Sequence, residues 1–379
     1  MSNTLPELTR QIRTTFENAR AARAKGDVQA AVKGWTDIIA RTEGATEREY
    51  LQARMASCSE CAVAFQELGD ARQARNLLLE AIRIAEEIVK EAEGASEEER
   101  MTHWMALAGV RTNLAALYVA SREAQDGADT ATSALEALSN AAAHPAQGML
   151  DFAARMQRGS AYLLLGRNKE GVDDLRKATE TGLTMVEKGQ QQVLPQLVES
   201  VGRLFSGAKT LGEAEENFPV VEKVARIVTA AFEANGQPYL NLFVAAQMHR
   251  VNALLDLHRF ADAEDELWHM IDGSGQGNVL MSAPDFYVAL WRRDDETLSK
   301  GGLPRDEIVE EWSKAIDLVE QRDADPIAVA VLRQRFALHT QGAKDETRRF
   351  LEEKAAQRDT LSPVAVALLN ALQAELNAA

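Results

Sequence analysis

The chain has 379 residues, 46% of them hydrophobic, with 42 basic against 58 acidic side chains and a formal charge of −16. That length holds two ordinary domains or one elongated array, and the apolar share excludes a disordered chain. The acidic balance excludes general binding to nucleic acid or to anionic membranes, both of which need basic surface.

The first residues, "MSNTLPELTRQIRTTF", carry no apolar stretch behind a basic one, and no run of about 18 apolar residues follows anywhere. A cytoplasmic chain without membrane insertion is therefore expected. Two cysteines, Cys58 and Cys61, allow no disulfide framework beyond one local pair.

Helix formers (Ala, Leu, Glu, Gln, Arg) dominate throughout, and β-branched alternation is scarce, so every element is expected to be helical. A first segment, 7–45, carries Ala19, Ala22, Gly26, Ala31, Trp35 and Ile38. A second, 47–93, carries Ala62, Phe65, Gly69, Ala74, Leu78 and Ala81 at the same offsets. The third, 96–140, keeps Ala115, Tyr118, Gly127, Ala131 and Ala134, with Arg122 where the glycine stood. The fourth, 148–188, has Gly159, Tyr162, Gly166, Gly171, Leu175 and Ala178. The fifth, 191–235, retains Gly202, Phe205, Ala214 and Phe218, but Pro219 predicts that its second helix starts late. The sixth, 239–272, reads Val251, Leu254, His258, Ala263, Leu267 and Met270. The seventh, 284–322 (Ile308, Trp312, Ala315), and the eighth, 326–358 (around Gly342 and Leu351), are degenerate. A closing helix, 363–377, reads as a cap on the last apolar edge. "TERE" from Thr46 and "SEEE" from Ser96 fit capping boxes, and Pro284, Pro304, Pro326 and Pro363 each precede or open a helical run.

These offsets resemble the tetratricopeptide repeat (TPR) family, in its extended-helix form. The turns Gly26 and Gly69 stand 43 residues apart, against the usual period of about 34. The resemblance implies an all-α solenoid of about eight antiparallel hairpins, a right-handed superhelix spanning 1–379 as one domain. Small residues such as Ala62 and Ala74 would let paired helices touch, while Phe65, Tyr162, Leu78 and Trp35 would fill the space between hairpins. It also implies a concave groove lined by the first helix of each hairpin. Carried over by position, the groove residues are Arg13, Arg20 and Arg23; Ser59 and Val63; Thr112 and Ala116; Met156, Ser160 and Leu163; and Met248, Asn252 and Leu255. Its middle is expected to be small and apolar with adaptable methionines. Arg10, Arg13 and Arg20 share a sector of about 80° on the first helix, at about 100° per residue; with Glu7 and Glu17 beside them they read first as an ordinary solvated face, and in the sharper alternative as an anchor for an acidic partner segment.

No motif names a reaction. "CSEC" (Cys58 to Cys61) lies inside a helix at core positions, so packing is expected rather than redox or zinc chemistry. "GSGQG" (Gly273 to Gly277) lacks the strand and the Lys-Ser/Thr of a phosphate loop. The six histidines are scattered, and no catalytic residue, metal or cofactor is expected. The function expected is a non-enzymatic scaffold or adaptor holding a protein or peptide partner: a helix of another protein, a disordered tail, or a second copy of this chain. The alternative is a peptide- or ligand-responsive regulatory sensor that acts through a separate effector protein.

Overall fold

A computed structural model describes residues 5–274, 283–321 and 325–378, and no strand occurs among them. The chain divides into two compact units, Met1–Glu213 and Ala214–Ala379. The first contains α1 (Leu5–Ala24), α2 (Val28–Arg41), α3 (Arg48–Glu67), α4 (Ala71–Glu91), α5 (Glu97–Ala120), α6 (Ala124–Ser139), α7 (Gln147–Leu164), α8 (Asn168–Glu187) and α9 (Leu194–Thr210). The second contains α10 (Ala214–Asn235), α11 (Leu240–Asp256), α12 (Phe260–Ser274), α13 (Ala283–Trp291), α14 (Asp295–Lys300), α15 (Arg305–Gln321), α16 (Pro326–Gln341), α17 (Lys344–Ala355) and α18 (Pro363–Ala378). The boundary falls between the two helices expected to form the fifth hairpin.

One turn recurs along the chain. After α1, the Gly26 amide donates to the Arg23 carbonyl at 2.9 Å and the Asp27 amide to that of Ala22 at 3.0 Å. The same pair of bonds returns at Gly69 and Asp70, Arg122 and Glu123, Gly166 and Arg167, Gly212 and Glu213, and His258 and Arg259. Each central residue is left-handed, which closes a Schellman motif and satisfies the helix's last carbonyls. Glycine takes that conformation freely, whereas Arg122 (φ 61°) and His258 (φ 58°) adopt it at a cost of roughly 1–2 kcal/mol. Asp27 and Asp70 then serve as N-caps, accepting from the Ala30 and Gln73 amides at 3.0 Å. A helix therefore stops and restarts within three residues, and the chain must fold back along itself.

In the first unit, α1–α2, α3–α4, α5–α6 and α7–α8 pair as hairpins, and each second helix also packs on the first helix of the next hairpin. The repeat positions lie at these seams. Trp35, Leu78, Ala131, Leu175 and their neighbours Ala31, Ala74 and Ala178 are fully buried, each large apolar side chain contributing about 1.5–3 kcal/mol. Gly159 and Gly171 face each other across the seam of α7 and α8, where a Cβ on either would stand 2.9 Å from the other's carbonyl oxygen. Phe65 and Tyr162 are half-buried, yet both pack between hairpins: Phe65 against the clusters around Trp35 and around Leu78, and Tyr162 against Val119, Ala128 and Ala161. Tyr162 also carries the Arg167 guanidinium 4.0 Å from its ring centre. Helices of up to 24 residues (α5) account for the long repeat period.

In the second unit, α10, α11 and α12 pack in sequence, α15 against α13 and α16, and α18 against α16 and α17. The segment expected as the seventh hairpin holds three helices, α13 to α15. The carbonyl of Gly301, just after α14, accepts from the Phe260 and Ala261 amides at 3.0 and 3.1 Å, so it caps α12 in place of a side chain. Only glycine fits there, because a Cβ would lie 2.2 Å from Phe260 Cδ2. The closing helix behaves as expected: Leu369, Leu372 and Leu376 pack with Val331, Leu338 and Leu351.

Two local expectations are corrected. α10 does not start late; it begins at Ala214 with Pro219 inside it. A proline at this depth forgoes one amide bond, and burial of Phe218, Val221, Val224 and Val228 offsets the loss. At the start of α3 the N-cap position is Glu47, without a side-chain cap bond, so Thr46 closes no capping box. Ser96 does accept from the Glu99 amide, at 3.3 Å.

Candidate partner-binding wall

The first helices of the first unit's hairpins touch in order, α1 on α3, α3 on α5, α5 on α7, and α7 on α9. Polar side chains stitch this row together. Arg23 on α1 donates to Glu60 at 3.2 Å and Glu67 at 2.5 Å on α3. Asn113 on α5 donates to Ser59 Oγ on α3 at 3.2 Å. Arg203 on α9 donates to Ser160 Oγ on α7 and is held by Glu199. Arg23, Ser59 and Ser160 are thus committed to joining neighbouring helices.

Three open grooves lie on the row. The first, ≈ 410 Å³, runs between α1 and α3 and includes Arg13 and Arg20. The second, ≈ 550 Å³, collects Gln66 of α3, Ala116 of α5, Gln157 of α7 and Arg203 of α9. Side chains from four successive first helices meet in one cleft only if the row curves inward. The third, ≈ 380 Å³, is lined by Ala120, Arg122, Ser160, Leu163 and Leu164.

The expected groove residues separate into classes. Arg13 and Arg20 are exposed; Val63, Ala116 and Leu163 are half-buried. Thr112, Met156 and Ser160 are buried at 5%, 3% and 5% exposure, so they face inward. The Thr112 and Ser160 hydroxyls donate to the Ala108 and Met156 carbonyls one turn back, at 2.8 and 2.6 Å. The adaptable-methionine floor is therefore not available at Met156. Met248, Asn252 and Leu255 lie on α11 of the second unit, with Asn252 exposed and the other two half-buried. Sequence reasoning missed Asn113, Gln66, Gln157 and Arg203. Asn113 and Gln157 stand one residue after Thr112 and Met156, so a one-residue shift of register along α5 and α7 would have found them.

Cys58 and Cys61 are free and buried, at 0% and 1% exposure. Burial pushes the Cys58 thiol up to about 12, so it stays protonated and packs as a small hydrophobe. Gly273 and Ser274 close α12, while Gly275 to Gly277 lie outside the described residues. Among the described residues, no three His, Cys, Asp or Glu side chains are placed to hold a metal ion, and no helix is long and apolar enough to cross a membrane.

Shared offsets, a shared left-handed turn and a shared small-residue seam decide the repeat type. These are TPR-like hairpins. A search of solved structures returns TPR-like repeats of a kinesin light chain protein from Podosopora anserina, at 20% identity and TM-score 0.43, covering 60% of this chain and 98% of that one. It also returns a tetratricopeptide repeat protein of Parabacteroides merdae, at 17% identity and TM-score 0.42, covering 84% and 98%. Aspartyl phosphate phosphatase F of Bacillus subtilis follows at 13% identity and TM-score 0.40, covering 100% and 94%. Likeness at this level says nothing of partner or activity. The sequence model of a family of unknown function, DUF6483, matches residues 149–318. No curated protein matches the chain.

Proposed function

We propose that the chain is a non-enzymatic, cytoplasmic scaffold or adaptor that holds a protein segment along the row of first helices in its first unit. The observation that supports this is the cleft in which α3, α5, α7 and α9 all present side chains. Hairpins that need only their neighbours for stability leave such a face free for a partner. Its floor is small and apolar at Ala116 and Ala120, with hydrogen-bonding side chains at Gln66 and Gln157 to orient a peptide backbone. Exposed Leu68 (48%), Leu164 (51%) and Leu165 (36%) stand at the turn end of the same hairpins and would extend the contact.

A photo-reactive amino acid at Ala116 or Ala120 in living cells tests this reading. Discrete cross-linked bands are expected from both positions and none from Arg83 or Lys177, which are exposed on the second helices α4 and α8. Equal cross-linking from the two faces would end it.

A further inference from the structure

The groove between α1 and α3 carries two arginines and two carboxylates: Arg13, Glu17 and Arg20 on α1, and on α3 Glu49, which accepts from Thr9 Oγ1 at 3.4 Å. Its floor is apolar, made by Ile12 and Phe16 on α1 with Ala53 and Ala56 on α3. Its α1 lip carries Arg13, Glu17 and Arg20 in that order. The chain has 16 more acidic than basic residues, and among the described residues most of its arginines pair with a carboxylate, as Arg41, Arg75, Arg158 and Arg305 do. Arg23, one turn further along α1, holds Glu60 and Glu67. Arg13 and Arg20 are exposed and have no carboxylate partner among the described residues. Two unpaired guanidiniums beside an apolar trough are poorly placed for stability and well placed for capture.

We infer that this groove is the docking site of an amphipathic helix bearing a carboxylate at i, a basic residue at i+3 or i+4, and a second carboxylate at i+7. This deepens the scaffold reading and rests on it. Arg13 and Arg20 are seven residues apart, about 10 Å along a helix. A helix laid alongside has the same rise, so its i, i+4 and i+7 side chains share one face and complement the three lip charges in order. An extended segment does not fit. Spanning about 10 Å takes three residues at about 3.3 Å each, and residues three apart on a strand point to opposite faces. On α1 an apolar residue precedes each lip charge (Ile12, Phe16, Ala19). The partner therefore needs an aliphatic stripe beside its charged one, to cover the floor. Charge-assisted pairs to arginine then fix register as well as affinity.

The probe is an alanine-based 18-residue helical peptide with glutamates at its fourth and eleventh positions, a lysine at its eighth, and a leucine after each. The control exchanges the charges, with two lysines and one glutamate. Binding to the full chain is read by fluorescence anisotropy at low and at physiological salt. The acidic peptide should bind at least about tenfold tighter than its control, with the gap narrowing as salt rises. Arg13→Glu with Arg20→Glu should reverse the preference, and Arg13→Gln with Arg20→Gln should abolish it. Both pairs of substitutions fall on exposed side chains and should leave the helical circular dichroism unchanged. Equal binding of the two peptides, a preference untouched by the substitutions, or no binding would each overturn the inference. Peptides that bind equally, while Ala116 still cross-links a partner in cells, would sink the charge assignment and spare the scaffold. Loss of both signals would sink the two together.

Discussion

At the residue scale, glycines with the same name have opposite uses. Gly159 and Gly171 face each other across the seam of α7 and α8, and a Cβ on Gly171 would meet both the Gly159 carbonyl at 2.9 Å and Leu163 Cδ2 at 2.8 Å. Leu163 can turn aside, but the backbone of a hairpin clamped between neighbours cannot. Alanine is the better helix former by about 1 kcal/mol, whereas overpacking costs about 1–3 kcal/mol. The steric cost wins. Gly171→Ala should lower unfolding free energy by about 1–2 kcal/mol. Gly148, in the first turn of α7, has nothing within 4 Å of the point where a Cβ would stand. Gly148→Ala should raise stability by up to about 1 kcal/mol. Urea denaturation of the two variants checks both signs, and a stable Gly171→Ala protein would mean that the hairpin is looser than its seam implies.

At the element scale, turns were the most legible feature, because a helix stopped by a left-handed residue leaves a mark one residue wide. Gly69 and Gly166 announce it. Arg122 and His258 do not, and only the offsets of their neighbours place them at the turn. Less legible were features decided by distant partners. Nothing near α12 foretells that a carbonyl beyond α14 caps it, and Pro219 looks like a helix start until the burial behind it is known. A buried polar group belongs to the same class. Glu264 on α12 accepts from the Tyr287 hydroxyl of α13 at 2.7 Å, and Trp268 donates to that oxygen at 3.2 Å. Burial pushes the Glu264 carboxyl up to about 7. The Tyr287 hydrogen bond opposes this, and the negative charges of Glu311, Glu307 and Asp265 add to it. The folded value stands above the unfolded one, so the fold favours the protonated acid. That contribution is complete below about pH 4.5 and is lost as pH rises through 7. The second unit should lose up to about 3 kcal/mol from this group between pH 5 and 8. Glu264→Gln keeps the acceptor for Tyr287 and removes the charge, so it should flatten the fall. Thermal melts at half-unit pH steps decide; parallel curves for the two proteins would reject this assignment.

At the scale of the whole molecule, each unit is held by contacts between successive helices, and the sequence shows this in every seam residue it repeats. The row of first helices was harder to read, because a repeat offset says which stripe of a helix turns inward but not how neighbouring stripes spend their polar groups. Thr112 and Ser160 bond their own helix, Arg23 bonds the next, and only the exposed remainder is left to a partner. The end of the chain shows how far such a local bond reaches. Arg335 on α16 is 4% exposed and grips Glu375 of α18 through its Nε at 2.9 and 2.8 Å, and His339 meets the same carboxylate at 3.1 Å. Burial alone would raise the Glu375 acid; His339 and Arg335 overcome it and hold it down at about 2. Removing the arginine leaves a buried carboxylate with one partner of two, a change that costs about 3–5 kcal/mol when a buried pair is broken. Replacing both ends with apolar groups of similar size removes the stranded charge and should cost much less. In an array stabilised between neighbours, the damage should also stay near its source. In hydrogen exchange by mass spectrometry, Arg335→Met should deprotect peptides from α16 and α18 by more than about tenfold, at about 1.4 kcal/mol per decade. Arg335→Met with Glu375→Leu should restore most of that protection. Peptides from α1 to α9 should exchange as in the parent protein. Deprotection spread evenly over all helices would show a single cooperative block in place of a chain of local seams.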